Sequence, residues 1–160
     1  MTTSVVVVGS DITFTGEGDL TSAVVGNTLS GLSNMRVVIA GYTSIGDGAF
    51  SWKGEIASIV IGSSILQIGD LAFESVLNCT EISFADGSQL DTIGEYAFFN
   101  FSAPFFVVPP SVTNLSTTAF FQSSAAARGI TELVIPKNSS DGFRFGLTAD
   151  SYNTTETISF

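Results

Sequence analysis

The chain has 160 residues, of which 44% are hydrophobic and 12% are charged, and this composition predicts one folded domain with its own core rather than a disordered chain. Its net charge of −10 disfavours nucleic acid and anionic lipid surfaces as partners, because both are negatively charged. No apolar run approaches the roughly 20 residues that span a bilayer, so membrane insertion is not expected.

The first 31 residues are predicted to form a degenerate N-terminal coil or a cap. Residues Val5 to Val8 have the β-branched composition of an opening strand. Residues Ile12 to Leu20 are interpreted as a degenerate bend that follows this strand. No basic segment precedes the valines, so if the protein is exported, its signal peptide is expected to have been removed or to belong to a longer precursor.

Residues 32–136 contain clear internal repeats. The dipeptide Ala-Phe recurs four times, and an aliphatic residue stands four positions before each alanine. The dipeptides are Ala49-Phe50, Ala72-Phe73, Ala97-Phe98 and Ala119-Phe120, and the aliphatic residues are Ile45, Ile68, Ile93 and Leu115. Glycine follows the first three of these aliphatic residues, and it permits a tight bend or a single helical turn.

A short run of alternating apolar residues follows each phenylalanine and predicts a strand. The last apolar residues of these runs are Ile61, Phe84, Val108 and Ile135, and Ile39 ends an earlier run, so the intervals are 22, 23, 24 and 27 residues. The pattern predicts a β-rich solenoid of leucine-rich-type repeats, with one short strand and one turn or single helical turn in each coil. Phe50, Phe73, Phe98 and Phe120 are then expected to form one ladder in its interior.

Residues 137–160 are predicted to form a degenerate C-terminal coil, so that all 160 residues make a single solenoid domain. The segment from Glu156 to Phe160 repeats the pattern of Glu81 to Phe84. Neither end shows the polar capping coil that solenoids usually need. Three explanations stay open: an irregular cap within residues 1–31, a chain cut from a longer array, or subunits that stack end to end.

The repeat Ile-Gly-x-x-Ala-Phe, followed by a strand of aliphatic residues, resembles the BspA-like, Treponema-type leucine-rich repeat. Four units between Gly41 and Pro136 carry the likeness. The family often has cysteine three residues after the phenylalanine, where this chain has Lys53, Val76, Phe101 and Ser123. The resemblance implies a surface or secreted protein that binds other proteins or cells, and it implies no catalytic residues.

Catalytic residues and cofactors are not expected. The chain has no histidine, which removes the usual general base and every Ser-His or Cys-His nucleophile. Cys79 occupies the position that Ile56 holds in the preceding coil, so we interpret it as a small buried hydrophobic residue. The sequence therefore predicts a protein that is not an enzyme.

Three acidic residues, Asp47, Asp70 and Glu95, follow Ile-Gly in successive coils. Stacked coils would place them in a column at about 4.8 Å spacing, which makes them weak candidates for a calcium site. The alternative is that each acid complements the positive end of its own short helical turn. The second interpretation is favoured, and no metal is predicted.

Five of the seven asparagines begin an Asn-x-Ser/Thr sequon, which makes them candidates for N-glycosylation. They are Asn78, Asn100, Asn114, Asn138 and Asn153. A glycosylated, secreted protein and a merely Ser/Thr-rich surface are equally compatible with this pattern.

Paired aromatic residues suggest a contact surface. One ring of each pair should point inward, which leaves Phe99, Phe105 and Phe121 as a possible exposed apolar patch. Burial under the loop from Gln122 to Gly129 is the alternative.

These features predict a non-catalytic, extracellular or cell-surface repeat protein that acts as a scaffold for adhesion or protein interaction. Its partner would be a protein or a glycan surface. The alternative is a structural subunit that binds copies of itself head to tail in a glycosylated extracellular filament.

Overall fold

Runs of β-branched and aromatic residues form the strands of the computed structural model, which describes residues 3–26, 28–123 and 129–134. The strands are β1 (Ser4–Val8), β2 (Asp11–Thr15), β3 (Asp19–Leu20), β4 (Met35–Ala40), β5 (Ser44–Ile45), β6 (Ile56–Ile61), β7 (Gln67–Ile68), β8 (Glu81–Phe84), β9 (Thr92–Ile93), β10 (Phe105–Val107), β11 (Asn114–Leu115) and β12 (Glu132–Val134). One helix of four residues, α1 (Ser22–Val25), lies in the first coil.

Two five-stranded sheets run along the described residues, because most coils contribute a long strand to one and a two-residue strand to the other. The long-strand sheet has the order β1-β2-β4-β6-β8, and the short-strand sheet has the order β11-β9-β7-β5-β3. The register places Ile39 beside Ile61 and Ile61 beside Phe84, as the repeat intervals require. The chain is thus a β-solenoid, which confirms the predicted fold class.

The long-strand side is interrupted between β8 and β10, and β10 pairs only with β12. In the coil of β8, the backbone N–H of Thr80 donates to Ala57 O at 2.9 Å, and Thr131 donates in the same way to Pro104 O at 2.8 Å. Thr80, Pro104 and Thr131 are the residues directly before β8, β10 and β12, so they hold equivalent positions in their coils. Pro104 accepts a hydrogen bond from the following coil but cannot donate one to the preceding coil. Proline has no backbone N–H, so this link of the sheet is missing there.

The third side of each coil is the turn that carries Ala-Phe. Backbone hydrogen bonds of 2.8 Å join these turns, from Phe50 N to Ala72 O and from Phe73 N to Ala97 O. We call the outer surface of residues 47–52, 70–75, 95–100 and 117–122 the bend face.

The four repeat phenylalanines form the predicted ladder in the interior. Their ring centroids are 5.1, 5.2 and 5.4 Å apart and their planes lie within 9° of parallel, in the order Phe50, Phe73, Phe98 and Phe120. All four side chains are buried. Stacking between successive coils therefore builds a core that no single coil could form.

Close packing of the coils requires glycine in the short-strand turns. A Cβ at Gly94 would lie 2.9 Å from Asp70 N and would also meet Asp70 Oδ1, and a Cβ at Gly69 would lie 2.9 Å from Asp47 N. These contacts are shorter than van der Waals distances. The Ile-Gly pairs of the repeat therefore permit the backbones of adjacent coils to approach.

The prediction of a bend over Ile12 to Leu20 is wrong. Residues Asp11–Thr15 form β2, which pairs in parallel with β4 and buries Ile12 and Phe14. The predicted opening strand is present as β1, but it runs antiparallel to β2 and forms the outer edge of the sheet.

The predicted strand end at Ile135 and the predicted C-terminal coil at 137–160 lie outside the described residues. Within the ranges that the structure describes, no helix has the length and apolar character needed to cross a membrane.

Candidate functional site

The bend face places equivalent residues of successive coils side by side. Leu71 N donates to Glu95 O at 2.9 Å, and Trp52 N donates to Glu74 O at 2.8 Å. Leu71 and Tyr96 share one position, directly before alanine, and both have a positive φ, of 57° and 53°. Gly48 holds the same position one coil earlier, with a φ of 59°. The face is therefore a regular array fixed by the backbone.

The acidic residues Asp47, Asp70 and Glu95 are exposed and are stacked along this face. Asp47 Oδ1 accepts a hydrogen bond from Asp70 N at 2.9 Å, and Asp70 Oδ1 accepts one from Glu95 N at 2.7 Å. The carboxylates of Asp47 and Asp70 thus link one coil to the next rather than capping their own turns. In the part of the chain that is described, no three His, Cys, Asp or Glu side chains lie close enough to hold a metal ion.

An aromatic cluster lies beside this column of acids. Phe99 and Phe121 stack with their centroids 5.8 Å apart, and Tyr96 packs edge-on against them at 5.9 and 6.2 Å. All three side chains remain partly accessible to solvent. The three residues form an apolar surface that spans two coils.

Phe105 lies elsewhere, on β10, where its side chain is 50% exposed. Among the described rings it makes no contact with Phe99 or Phe121. The structure therefore brings together two of the three residues suggested as a contact patch. The alternative of burial under the 122–129 loop involves residues 124–128, which lie outside the described residues.

Three exposed apolar residues of the bend face were not selected from the sequence. Trp52 is 67% exposed, Leu71 is 39% exposed and Tyr96 is 37% exposed. Alignment of the coils on Ala-Phe could have identified Leu71 and Tyr96, because both occupy the position of a glycine. A large apolar residue at a position that favours glycine is an unusual choice that core packing does not explain.

The sequons differ in their surroundings. Asn78 is exposed and its Nδ2 donates to Gly54 O at 2.7 Å, whereas Asn100 is half-buried and its Oδ1 accepts the N–H of Ser123 at 2.8 Å. Asn114 is exposed, and its Nδ2 donates to Asp91 Oδ2 at 3.1 Å. Asn138 and Asn153 lie outside the described residues.

Asp91 is the centre of a polar group beside Asn114. The hydroxyl of Thr113 donates to its carboxylate, and this bond is the main reason why the pKa of Asp91 lies below its usual value. Asn114 and Thr92 also donate to the carboxylate. These bonds favour the ionised carboxylate and hold the side chain of Asn114 against the coil before it.

Cys79 is fully buried, and its thiol donates to Glu81 O at 3.2 Å. Burial raises its pKa to about 12. Because the thiolate is the nucleophile, a thiol in this environment is inert. Cys79 is therefore part of the core, as expected for the residue that replaces Ile56.

This inertness can be tested by alkylation at pH 8. The folded protein should react with iodoacetamide about a thousandfold more slowly than the chain unfolded in guanidinium, because its thiol pKa lies about three units higher. Mass spectrometry over time measures both rates. Above about pH 9 the thiol of the unfolded chain loses its proton, while the thiol of the folded chain keeps it up to about pH 12. The free energy of unfolding should therefore fall as the pH rises from about 9 to about 12. Equal alkylation rates would contradict the buried placement.

Comparison with known proteins relates this architecture to bacterial repeat proteins. A family model described as the BspA type leucine-rich repeat region matches residues 19–140 in six copies, which confirms the resemblance seen in the sequence. None of the curated proteins matches the chain.

Three solved structures match the chain. A leucine-rich repeat protein from Eubacterium ventriosum has a TM-score of 0.50 and 20% identity over 81% of this chain. The Treponema pallidum leucine-rich repeat protein has a TM-score of 0.47 and 16% identity over 84% of the chain, and the pneumococcal vaccine antigen PcpA has a TM-score of 0.35 and 16% identity over 86%. The chain spans 40% of the Eubacterium protein, 69% of the Treponema protein and 48% of PcpA.

Proposed function

Because the chain belongs to the BspA-type leucine-rich repeat family, we propose that it is a non-catalytic scaffold for protein interaction and adhesion at the cell surface or outside the cell. Repeat proteins of this kind present extended surfaces rather than deep pockets, so that many shallow contacts add up.

The exposed aromatic cluster of Tyr96, Phe99 and Phe121 is the observation that carries the proposal. A contiguous apolar surface rimmed by polar groups on a folded domain is typical of a protein interaction site. Aromatic residues are also enriched at the centres of such interfaces. The backbone hydrogen bonds of the bend face hold these rings in place before binding, which reduces the entropy cost of association.

Action without catalysis is supported by the family, whose members are generally non-enzymatic scaffolds. The sequence contains no histidine, and the single cysteine is buried with a raised pKa. Asp47 and Asp70 have equivalent environments, since each accepts a backbone N–H of the next coil, whereas paired carboxylate chemistry needs two groups in different environments.

An extracellular location is supported by the resemblance to surface and secreted repeat proteins and by the five sequons. Asn78 is the best placed of the described sequon residues, because it is exposed on a loop. Intact mass spectrometry of protein from its native source should show the added mass of glycans, and peptide mapping should place one of them at Asn78. Unmodified asparagine at all five sequons would remove this support for an extracellular location.

The scaffold function is tested with beads that carry the protein. The beads should bind to at least one of a panel of immobilised extracellular matrix and cell-surface proteins, and the soluble chain should compete for the same sites. The control is a set of beads that carry the Phe98→Ala variant. This variant is unfolded with denaturant before the assay. Absence of specific binding across matrix proteins and intact cells would overturn the proposal.

A second candidate is a filament formed by head-to-tail association. The outer strand β1 favours it, because Val6 and Val8 are 51% and 71% exposed and, among the described strands, β1 pairs only with β2. Such edge strands pair readily with other strands. Electron microscopy of concentrated protein should then show polymers that lysine at Val6 and Val8 abolishes, and monomers at all concentrations would exclude it.

A further inference from the structure

We infer that the bend face binds a cationic segment of a partner protein, whose Arg or Lys side chains pair with the acid column and whose apolar side chains cover the aromatic cluster. This inference rests on the proposed function as an interaction scaffold. It assigns the surface and the chemistry of the partner, which the proposed function leaves open.

The apolar half of the surface extends over neighbouring coils. Trp52 and Leu71 lie on the turns of the two coils that precede the aromatic cluster, and they are 67% and 39% exposed. The rings of Tyr96, Phe99 and Phe121 are held by contacts among themselves. The faces of such rings attract cations, most strongly the planar guanidinium of arginine.

The charged half of the surface is acidic without a compensating base. The turns at 47–52, 70–75, 95–100 and 117–122 contain Asp47, Asp70, Glu74 and Glu95 and no lysine or arginine. The nearby Lys53 extends away toward an earlier coil, where its Nζ contacts Gly26 O at 3.5 Å. Charge complementarity therefore requires a cationic partner, which also agrees with the net charge of the whole chain.

The geometry of the acids favours side-chain cations over a metal ion. In Asp47 and Asp70, one oxygen of each carboxylate is used by a backbone N–H of the next coil. Among the described residues the second oxygen of each carboxylate accepts no hydrogen bond, and calcium needs six to eight oxygen ligands. A guanidinium or ammonium group needs far fewer oxygen partners. The aromatic rings beside the acids can also stack on a guanidinium group.

The sequence also places acidic and large apolar residues next to each other. Asp70 precedes Leu71 and Glu95 precedes Tyr96, and Leu71 N donates to Glu95 O at 2.9 Å. A partner segment that alternates cationic and apolar side chains would therefore meet both kinds of group on adjacent coils. A small polyamine would use the acids alone.

The test uses a short synthetic peptide of alternating arginine and leucine, with two control peptides in which glutamate replaces arginine or serine replaces leucine. Trp52 is the only tryptophan of the chain and lies on the bend face, so its fluorescence reports binding at this surface. Calorimetry gives the dissociation constant independently.

The variants separate charge from fold. The double variant Asp70→Asn with Glu95→Gln removes two charges from the bend face, and it should fold normally because asparagine keeps a carbonyl oxygen for Glu95 N. This double variant should bind the arginine-leucine peptide about five- to thirtyfold more weakly. Tyr96→Asn, at a positive φ that asparagine tolerates, should weaken binding at least about threefold. The matched control pair Glu81→Gln and Glu132→Gln removes the same charge from the long-strand side and should change binding less than about twofold.

The inference is overturned if the bend-face pair, Asp70→Asn with Glu95→Gln, weakens peptide binding no more than the control pair on the long-strand side. It is also overturned if Trp52 emission does not respond to the bound peptide, or if spermine binds as tightly as the peptide. In the bead assay, partner binding that survives Asp70→Asn, Glu95→Gln and Tyr96→Asn would refute the assignment of the surface but leave the scaffold function intact. Peptide binding as expected, with no binding of any surface protein, would support the bend face and refute the scaffold function.

Discussion

Replacement of Phe98 by alanine is expected to lower the free energy of unfolding by about 3–5 kcal/mol. Its ring is fully buried and stacks between Phe73 at 5.2 Å and Phe120 at 5.4 Å. The edges of Phe101 and Phe106 also contact it, at 5.2 and 4.8 Å. The substitution leaves a cavity where three coils meet, so it removes contacts within a coil and between coils at once.

Denaturant titration followed by circular dichroism measures this loss. Phe105→Ala is the matched control, since it removes the same side chain from a site that is 50% exposed on β10. It should cost less than about 1.5 kcal/mol, because much of this ring already contacts water. Equal losses for the two variants would contradict the interior ladder.

Replacement of Gly94 by alanine is expected to cost about 2–4 kcal/mol, from overpacking and from the loss of one hydrogen bond. The added Cβ would lie 2.9 Å from Asp70 N and would displace the Asp70 carboxylate that accepts the N–H of Glu95. Backbone atoms cannot turn aside as a flexible side chain can. The coils must therefore separate at this point.

The stability of Gly94→Ala is compared with that of Gly54→Ala by thermal and chemical unfolding. A Cβ at Gly54 would lie 3.6 Å from Asn78 Nδ2, an ordinary contact, so that variant should lie within about 0.5 kcal/mol of the parent. The further substitution Asp70→Ala should not rescue Gly94→Ala, because the clash with the backbone nitrogen remains. A full rescue would show that only the carboxylate is crowded.

The interior was predictable from the sequence because its constraint repeats. Phe50, Phe73, Phe98 and Phe120 stack on one another in successive coils, so the need for one ring in each coil appears in the sequence as a recurring Ala-Phe. Strand β2 was missed because Ile12 and Phe14 alternate without a following Ala-Phe to set the frame. The alternation itself was visible.

The surface was only partly predictable. Phe99 and Phe121 were identified because each follows a repeat phenylalanine, and a ring next to an inward-pointing ring must point elsewhere. Trp52 and Tyr96 were missed because the positive φ of their positions is not visible in the sequence, and the equivalent residues of other coils are of different types. Phe105 was grouped with the cluster because the sequence does not show that β10 lies on another side of the coil.

The missing backbone link at Pro104 has a mechanical consequence. Under a tensile load along the solenoid, each coil junction resists through its long-strand pairing, its short-strand pairing and its turns, but the junction between β8 and β10 lacks the first of these. There the edge contact of Phe84 with Phe106, at 5.8 Å, bridges the two strands without a ladder of hydrogen bonds. We expect rupture to begin at this junction, so that β10 and β12 peel away together while the coils before them stay folded.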